Sequence, residues 1–266
     1  MNEETLKEFI TEKALAAAVS DAEALRPELA GMRVFDAPIF AAATADDPMF
    51  LSLRADASVG GHHCMPADWT PDARSVLSVF FPFAKRVRAA SAAFADRQPA
   101  AEWLHGRIEG QNHISAISAA AAEALRGAGF SAVAPSVANG FRSKGFTSNW
   151  SERHIAFVCG LGTFGLSRGL ITEKGVAGRF CSIVTSMELG ITHRGYTELY
   201  EHCIFCGLCA KRCPAEAIDP KTGKAHGPCG AFLSETRELF APRYGCGKCQ
   251  VGVPCEGGIP AKGAGR

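Results

Sequence analysis

Eight of the eleven cysteines in this 266-residue chain lie between positions 203 and 255: Cys203, Cys206, Cys209, Cys213, Cys229, Cys246, Cys249 and Cys255. Thiols at such density serve as disulfides or as ligands for soft metals. A disulfide scaffold suits small secreted domains. Here the cysteine total is odd, and the chain opens on MNEETLKEF, polar and acidic where a secretory leader is basic and then apolar. Metal binding in a reducing cytoplasm is therefore the expectation. The stretch HCIFCGLCAKRCP names the metal. Its spacing, Cys203-x-x-Cys206-x-x-Cys209-x-x-x-Cys213-Pro214, is the bacterial ferredoxin run, in which three thiolates grip one cluster and the fourth ligates another. Two-residue gaps let successive sulfurs converge on three corners of a cube. Pro214 turns the chain away and leaves Cys213 facing a neighbour. Zinc is the competing reading, but zinc ribbons set two C-x-x-C pairs across a longer loop.

Eight thiolates are the number two 4Fe-4S clusters require, at four each. By the crossover rule Cys203, Cys206 and Cys209 share a cluster with one distant cysteine, and Cys213 joins three others. The symmetric assignment gives Cys255 to the first cluster and Cys213, Cys229, Cys246 and Cys249 to the second. Exchanging Cys229 and Cys255 is the alternative that spacing leaves open.

Outside the cysteine runs the chemistry is sparser. Glu109 and His113 are four apart on an expected helix and share a face, which makes them either a surface pair or proton donors to a site. Gly160, Gly162 and Gly165 spell the dinucleotide fingerprint, yet a helix, not a strand, is expected before them and no acid follows at the needed distance. They read better as a loop where backbone approaches a flat ligand or the cluster segment closely. The GHHC at 61–64 offers two imidazoles and a thiol, but adjacent residues rarely bind one ion, so a plain loop is expected. Cys159 and Cys181 read as small buried hydrophobes. Asn149, Trp150, Glu152, Arg153 and His154 either line a pocket or cap a helix.

The elements that must position these residues follow from periodicity. Residues 1–25 read as an amphipathic helix ended by Pro27 and Gly31. SVLSVFF at 75–81 is a buried strand stopped by Pro82. A long helix is expected over 99–127, with Leu104, Ile108, Ile114, Ile117 and Leu125 on one side. A short strand at 130–134, a helix at 150–159 and a strand at 180–187 complete the body. The pattern gives an α+β chain, with an α/β cofactor- or substrate-binding body at 1–195 and a ferredoxin-like 4Fe-4S domain at 196–266.

Net charge is 28 − 27 = +1, which supplies no basic field for nucleic acid. No apolar run approaches the roughly 20 residues that cross a bilayer. Neither nucleic acid nor membrane is an expected partner.

The string SERHIAFVCGLGTFGLSRGLIT, the CIFCGLCAKRCPAEAI run, a cysteine sixteen positions after Cys213, and GCGKCQ together resemble epoxyqueuosine reductase, a family related to the reductive dehalogenases. The likeness is good over 145–252 and weaker upstream. It implies a nitroreductase-like, cobalamin-binding body packed on a ferredoxin domain with two 4Fe-4S clusters, and the symmetric ligand partition. Three features depart from that family. Phe146 stands where its aspartate proton donor would be, six residues before Glu152. Five residues, not three, separate Cys249 from Cys255. The chain closes at Arg266 without C-terminal helical repeats.

Two functions are therefore expected in competition. In the first, a reductase takes low-potential electrons from a ferredoxin- or flavodoxin-type donor. It passes them through the clusters to cobalamin or a small-molecule substrate in the body, with Glu109 and His113 as proton donors and Gly160, Gly162 and Gly165 against the cofactor. In the second, an electron-transfer protein docks a redox partner and has no catalytic site of its own.

Overall fold

The computed structural model describes residues 1–94 and 96–262. The last four positions of the expected 196–266 segment lie outside the described residues.

Helix α1 (Glu3–Ala16) starts at Asn2, whose side chain accepts from the Thr5 N–H at 2.9 Å. It is shorter than the helix expected over 1–25. Ala17 turns extended, and the backbone hydrogen bonds Val34 N–H to Ala17 O and Val19 N–H to Met32 O pair this stretch with a later one. Helix propensity amounts to tenths of a kcal/mol per residue, so this pairing decides the end. Strand β1 (Ile39–Thr44) and the short helices α2 (Pro48–Ser52) and α3 (Pro66–Trp69) follow. Next come β2 (Ser75–Pro82), α4 (Lys85–Ala93), the long α5 (Ala101–Gly127) and β3 (Ala132–Val133). A hairpin of β4 (Ser143–Lys144) and β5 (Thr147–Ser148) leads into α6 (Glu152–Cys159), then β6 (Gly162–Phe164), β7 (Leu170–Thr172) and β8 (Gly178–Thr185). The cysteine-rich segment adds α7 (Leu208–Lys211), β9 (Ile218–Asp219), β10 (Gly223–Lys224) and α8 (His226–Phe240).

One antiparallel sheet organises the body, in the order β1-β2-β8-β3. Every residue of β2 is buried because both faces of the sheet are covered. Alternation along the strand sorts its side chains into two cores. Leu77, Val79 and Phe81, with Cys181 and Ile183 of β8, pack against α1 and α5. Val76, Phe80 and Val184 pack against Ile155, Val158 and Cys159 of α6 on the opposite face.

The cysteine-rich segment is tied onto this body at several points. The Val176 N–H donates to Cys255 O at 2.9 Å, and Arg212 reaches Ala92 O at 3.0 Å. Arg243 forms a buried ion pair with Glu109 of α5 at 2.7 Å. No helix among the described residues is long and apolar enough to cross a membrane.

Candidate cluster sites and the cavity beside them

The eight thiols gather in two sets of four. Cys203, Cys206, Cys209 and Cys255 line one pocket, walled by Leu166, Ile204, Phe205, Val253, Pro254 and Pro260. Local backbone makes them converge: Phe205 and Gly207 both hold positive φ, +50° and +72°, which folds the run back and starts α7 with Cys209 in its first turn. Phe205 pays a cost in this region that a glycine would not. Cys213, Cys229, Cys246 and Cys249 line a second, larger cavity. Cys213 follows α7, and its sulfur accepts the Ala217 N–H at 3.3 Å. Cys229 stands in the first turn of α8. Cys246 and Cys249 flank Gly247, at φ +70°, where a Cβ would overlap the Trp103 indole at 1.9 Å, so only glycine brings both thiols to the wall. This grouping is the symmetric one, with Cys255 beside the first three cysteines.

Burial first, and neighbouring thiols second, push Cys209 up to about 11 and Cys246 and Cys255 up to about 12. Such thiols ligate by giving their protons up to a metal. A single zinc with Zn–S bonds of roughly 2.3 Å needs its sulfurs about 3.8 Å apart. Among the described residues, no three His, Cys, Asp or Glu side chains are grouped to hold one ion. Four thiols spread around a pocket suit a cluster better.

The cavity at the second set measures about 810 Å³, within the range of small-molecule sites. The body supplies its far wall and α8 its near one. Six cationic side chains line it: Arg107, Arg153, Arg168, Arg179, Lys224 and Arg237. No Asp or Glu lines it, and none of the six forms an ion pair among the described residues. Their contacts are with neutral groups. Arg153 donates to Arg168 O at 2.8 Å, Arg179 to Gln111 Oε1 at 2.7 Å, and Arg168 to His226 Nε2 at 2.6 Å. Arg107 and Arg237 lie against the Tyr244 ring, 4.2 and 4.1 Å from its centre. Arg168 is itself held at φ +58°. Burial, then the like charges of Arg107 and Arg153, bring Arg179 down to about 9. Burial together with Arg168, Lys224 and Arg153 lowers His226, so its Nε2 is free to accept. At the rim, Phe146 on the β4–β5 turn stacks on His226 with centroids 4.6 Å apart.

Glu109 and His113 do not reach this cavity. The α5 residues that line it are Trp103 and Arg107, one turn apart, and Glu109 points elsewhere on the helix. Glu109 is buried between Arg243 and His105, whose Nδ1 lies 3.1 Å from it. His105 Nε2 accepts the Leu25 N–H, so its Nδ1 carries the proton and donates to Glu109. Burial works to raise the Glu109 pKa, but the His105 and Arg243 hydrogen bonds outweigh it and hold the carboxyl below its ordinary range. His113 Nε2 meets Ala18 O at 3.1 Å and joins α5 to the segment after α1. Both are fold-holding groups, which corrects the expectation that they donate protons to a site.

For the glycine loop the flat-ligand alternative is corrected, whereas the close approach to the cysteine-rich segment is found: the Phe164 N–H donates to Leu199 O at 2.8 Å and the His202 N–H to Thr163 Oγ1 at 2.9 Å. A Cβ on Gly162 would sit 2.1 Å from the Ile171 carbonyl oxygen, so the paired strand β7 fills the space a ligand was expected to use. Gly160, at φ +105°, ends α6 and faces Thr192, while Gly165 faces Ile171 and borders the Cys203 set. Helix, turn and strand in that order also exclude the dinucleotide reading. In the GHHC stretch His63 is buried, stacks on Trp150 and is pushed down to about 4 chiefly by burial, so it is a neutral core histidine. Of the group at 149–154, Arg153 lines the cavity, Trp150 is core, and no side chain caps α6. Of the six cations only Arg153 stood among the residues singled out in the sequence. The others are scattered from 107 to 237 in a chain of nearly zero net charge, and among them only Arg179, the one charge in its strand, carries a local signal.

Residues 197–219 match the 4Fe-4S binding domain family. The fold matches epoxyqueuosine reductase and a reductive dehalogenase. Over 96% of its length the chain superposes on epoxyqueuosine reductase from Streptococcus thermophilus, with a TM-score of 0.50 and 13% identity, covering 66% of that chain. An epoxyqueuosine reductase bound to a tRNA-Tyr epoxyqueuosine-modified stem loop gives a TM-score of 0.51 at 18% identity, again over 96% of this chain and 66% of that one. The catabolic reductive dehalogenase NpRdhA, in complex with 3-bromo-4-hydroxybenzoic acid, gives 0.54 at 12% identity, over 98% of this chain and 37% of that one. The chain thus spans less than two thirds of each relative's length, and identities this low speak for fold alone. No curated protein matches by sequence.

Proposed function

We propose that the protein is an iron–sulfur oxidoreductase with a 4Fe-4S cluster on each set of four thiols. It passes electrons singly from the Cys203 side to the Cys213 side and on to an acceptor in the cavity. One observation carries this: the second thiol set opens into a cavity large enough for a small molecule, whereas the first is walled in by apolar residues. In this reading the body at 1–195 holds the acceptor and the segment from 196 holds the clusters. The first set adjoins the exposed Leu199, Tyr200 and Phe205, an apolar surface on which a ferredoxin- or flavodoxin-type donor would dock.

Cobalamin, which the family resemblance implies, finds no cradle at the glycine loop, where protein backbone already occupies the space a Cβ would take. The larger cavity, beside the second thiol set, has a lining that calls for negative charge, while a corrin presents mainly neutral amides at its edge. The residues fit a bound organic anion better than a corrin. Protons that accompany the electrons have no carboxyl source on the lining, so Tyr244 and His226 are the neutral titratable groups placed to supply them. That same lack of a carboxyl favours the second reading, an electron-transfer protein with no chemistry of its own.

Anaerobic reconstitution tests the core of the proposal. About eight iron and eight sulfide per chain are expected, and Cys206→Ala and Cys249→Ala should each remove about half and leave a different paramagnetic signal. Stoichiometric zinc, or four iron in the unaltered protein, would overturn it. Single-turnover oxidation of the reduced protein by candidate small molecules, with cobalamin added or omitted, separates the enzyme from the carrier. A carrier is re-oxidised by small molecules without saturation, whereas an enzyme saturates with its substrate.

A further inference from the structure

We infer that the cavity beside Cys213, Cys229, Cys246 and Cys249 is a binding site for a small organic anion with at least two negative charges, as phosphate or carboxylate groups. The claim rests on the reading above only in taking those thiols to hold a cluster, since anion binding does not require that the ligand be reduced.

Charge arithmetic comes first. Four thiolates around a 4Fe-4S core of charge about 2+ leave a net charge of about −2, and about −3 after reduction. Facing it are the six cations Arg107, Arg153, Arg168, Arg179, Lys224 and Arg237, with no carboxylate among the lining residues. Three or four positive charges remain uncompensated around a cavity that opens to solvent. Arg153, Arg168 and Arg237 reach solvent, whereas Arg107, Arg179 and Lys224 are half-buried, and half-buried cations without a counter-charge are costly. The Nε of Arg107 is sealed from solvent and has no hydrogen-bond partner among the described residues.

Geometry supplies the second argument. Arg153 and Arg168 are joined through the Arg168 carbonyl, and Arg168 takes a left-handed backbone to present its side chain at the rim. Arg107 and Arg179 stand on a different wall, supplied by α5 and β8. Planar guanidinium forks on separate walls suit a ligand with an anionic group at each end, because each fork matches phosphate or carboxylate through two parallel hydrogen bonds. A cavity of about 810 Å³, part of which the cluster would fill, leaves room for one small molecule and not for a nucleic-acid strand. Phe146 and His226 offer a stacked ring pair at the mouth, against which an unsaturated ligand would lie.

Calorimetric titration of the anaerobic, cluster-loaded protein tests this with four probes: glycerol 3-phosphate, isophthalate, and their neutral counterparts glycerol and benzamide. Saturable binding of one or both dianions is expected, weakening steeply with salt, with neither neutral probe binding. The phosphate and carboxylate arms show which anionic group the site prefers. Arg153→Gln and Arg107→Gln should each weaken dianion binding by about tenfold or more, with iron content unchanged. Arg153→Lys should lose part of the affinity, because the charge remains but the fork is gone. Equal binding of neutral and charged probes, no binding of either dianion, or full affinity in both glutamine variants would overturn the assignment. Dianion binding with no turnover leaves this site standing and removes the reductase reading. Turnover of an added substrate without dianion binding does the reverse.

Discussion

The two thiol sets share a ligand count and differ in everything around them. Cys203, Cys206, Cys209 and Cys255 sit among Leu166, Ile204, Phe205, Val253 and prolines, close to an exposed apolar surface. Cys213, Cys229, Cys246 and Cys249 sit among guanidiniums and Lys224 at the wall of a cavity. Ligand spacing fixes what is bound, while surroundings fix what the bound group can do. Reduction adds a negative charge, which the cationic set stabilises and the apolar set does not. In the proposed function this makes the step from the surface set to the cavity set the downhill one, and its direction would come from six residues that are not ligands.

The largest expected break between the two sets comes from a residue that touches neither. Glu109 binds Arg243, three residues before Cys246. Glu109→Ala strands a buried guanidinium and should cost about 3–5 kcal/mol, the usual price of halving a buried pair. Because the strand of chain it anchors leads into Cys246 and Cys249, cluster loss should fall on the second set, with the Cys203 signal surviving. Iron analysis and spectra of the variant check this, and even loss from both sets would sink it. Acid should mimic the variant. The Glu109 carboxyl is held below its ordinary range, so its contribution is present above that range and disappears as pH falls through the lowered value.

How much of this was legible in the sequence differs between the same two regions. The 4Fe-4S chemistry of the first cysteine run was legible, because four cysteines in eleven positions leave little choice, while spacing leaves the partners of Cys229 and Cys255 open; β2, α5 and β8 announced themselves by apolar runs and periodicity. Strand β1, with its IFAAAT, was not, since alanines favour helix and only pairing with β2 makes them extended. Glu109 and His113 were correctly placed on one helix and wrongly given to the cavity, because spacing along a helix says which residues share a face but not what that face meets. At Gly160, Gly162 and Gly165 the ligand alternative failed for a related reason, while the approach to the cysteine-rich segment held. A glycine marks close approach without saying whether a ligand or the chain's own backbone approaches. The cationic wall is a tertiary property, assembled from residues up to 130 positions apart.

A second, smaller effect sharpens the view of the cavity side. Glu152, next to Arg153, has both carboxylate oxygens sealed from solvent, and burial pushes it up to about 7 although Ser182 and Ser136, which lie near it, work to lower it. The folded chain therefore keeps a proton that the unfolded chain releases above about 4.5. The Glu152 contribution to stability is therefore most favourable below that pH and declines as pH rises from there to about 7, by on the order of 3 kcal/mol in all. Glu152→Gln removes the titration, so anaerobic melting should show a stabilised variant at pH 8 and no gain at pH 4. An unchanged pH slope in the variant would mean the carboxyl finds a partner in solution.

The smallest effect addresses the potential difference itself. Lys224 is the cation set against the sulfurs of Cys229 and Cys249; burial opposes its charge, but those neighbours outweigh burial and raise its pKa. Lys224→Met keeps the length and removes the charge. One charge about 6 Å from a cluster, at an effective dielectric near 20, is worth roughly 100 mV. The midpoint potential of the second cluster should fall by on the order of that amount, less whatever solvent screens, while the first cluster stays within roughly a fifth of it because it lies farther from Lys224. Anaerobic redox titration followed by electron paramagnetic resonance resolves the two. Equal shifts in both clusters would mean that the field is shared across the whole segment, and the downhill direction would then need another cause. A fall confined to the Cys213 side would show that the cationic wall, and not the ligand set, makes that cluster the electron's last stop before the cavity.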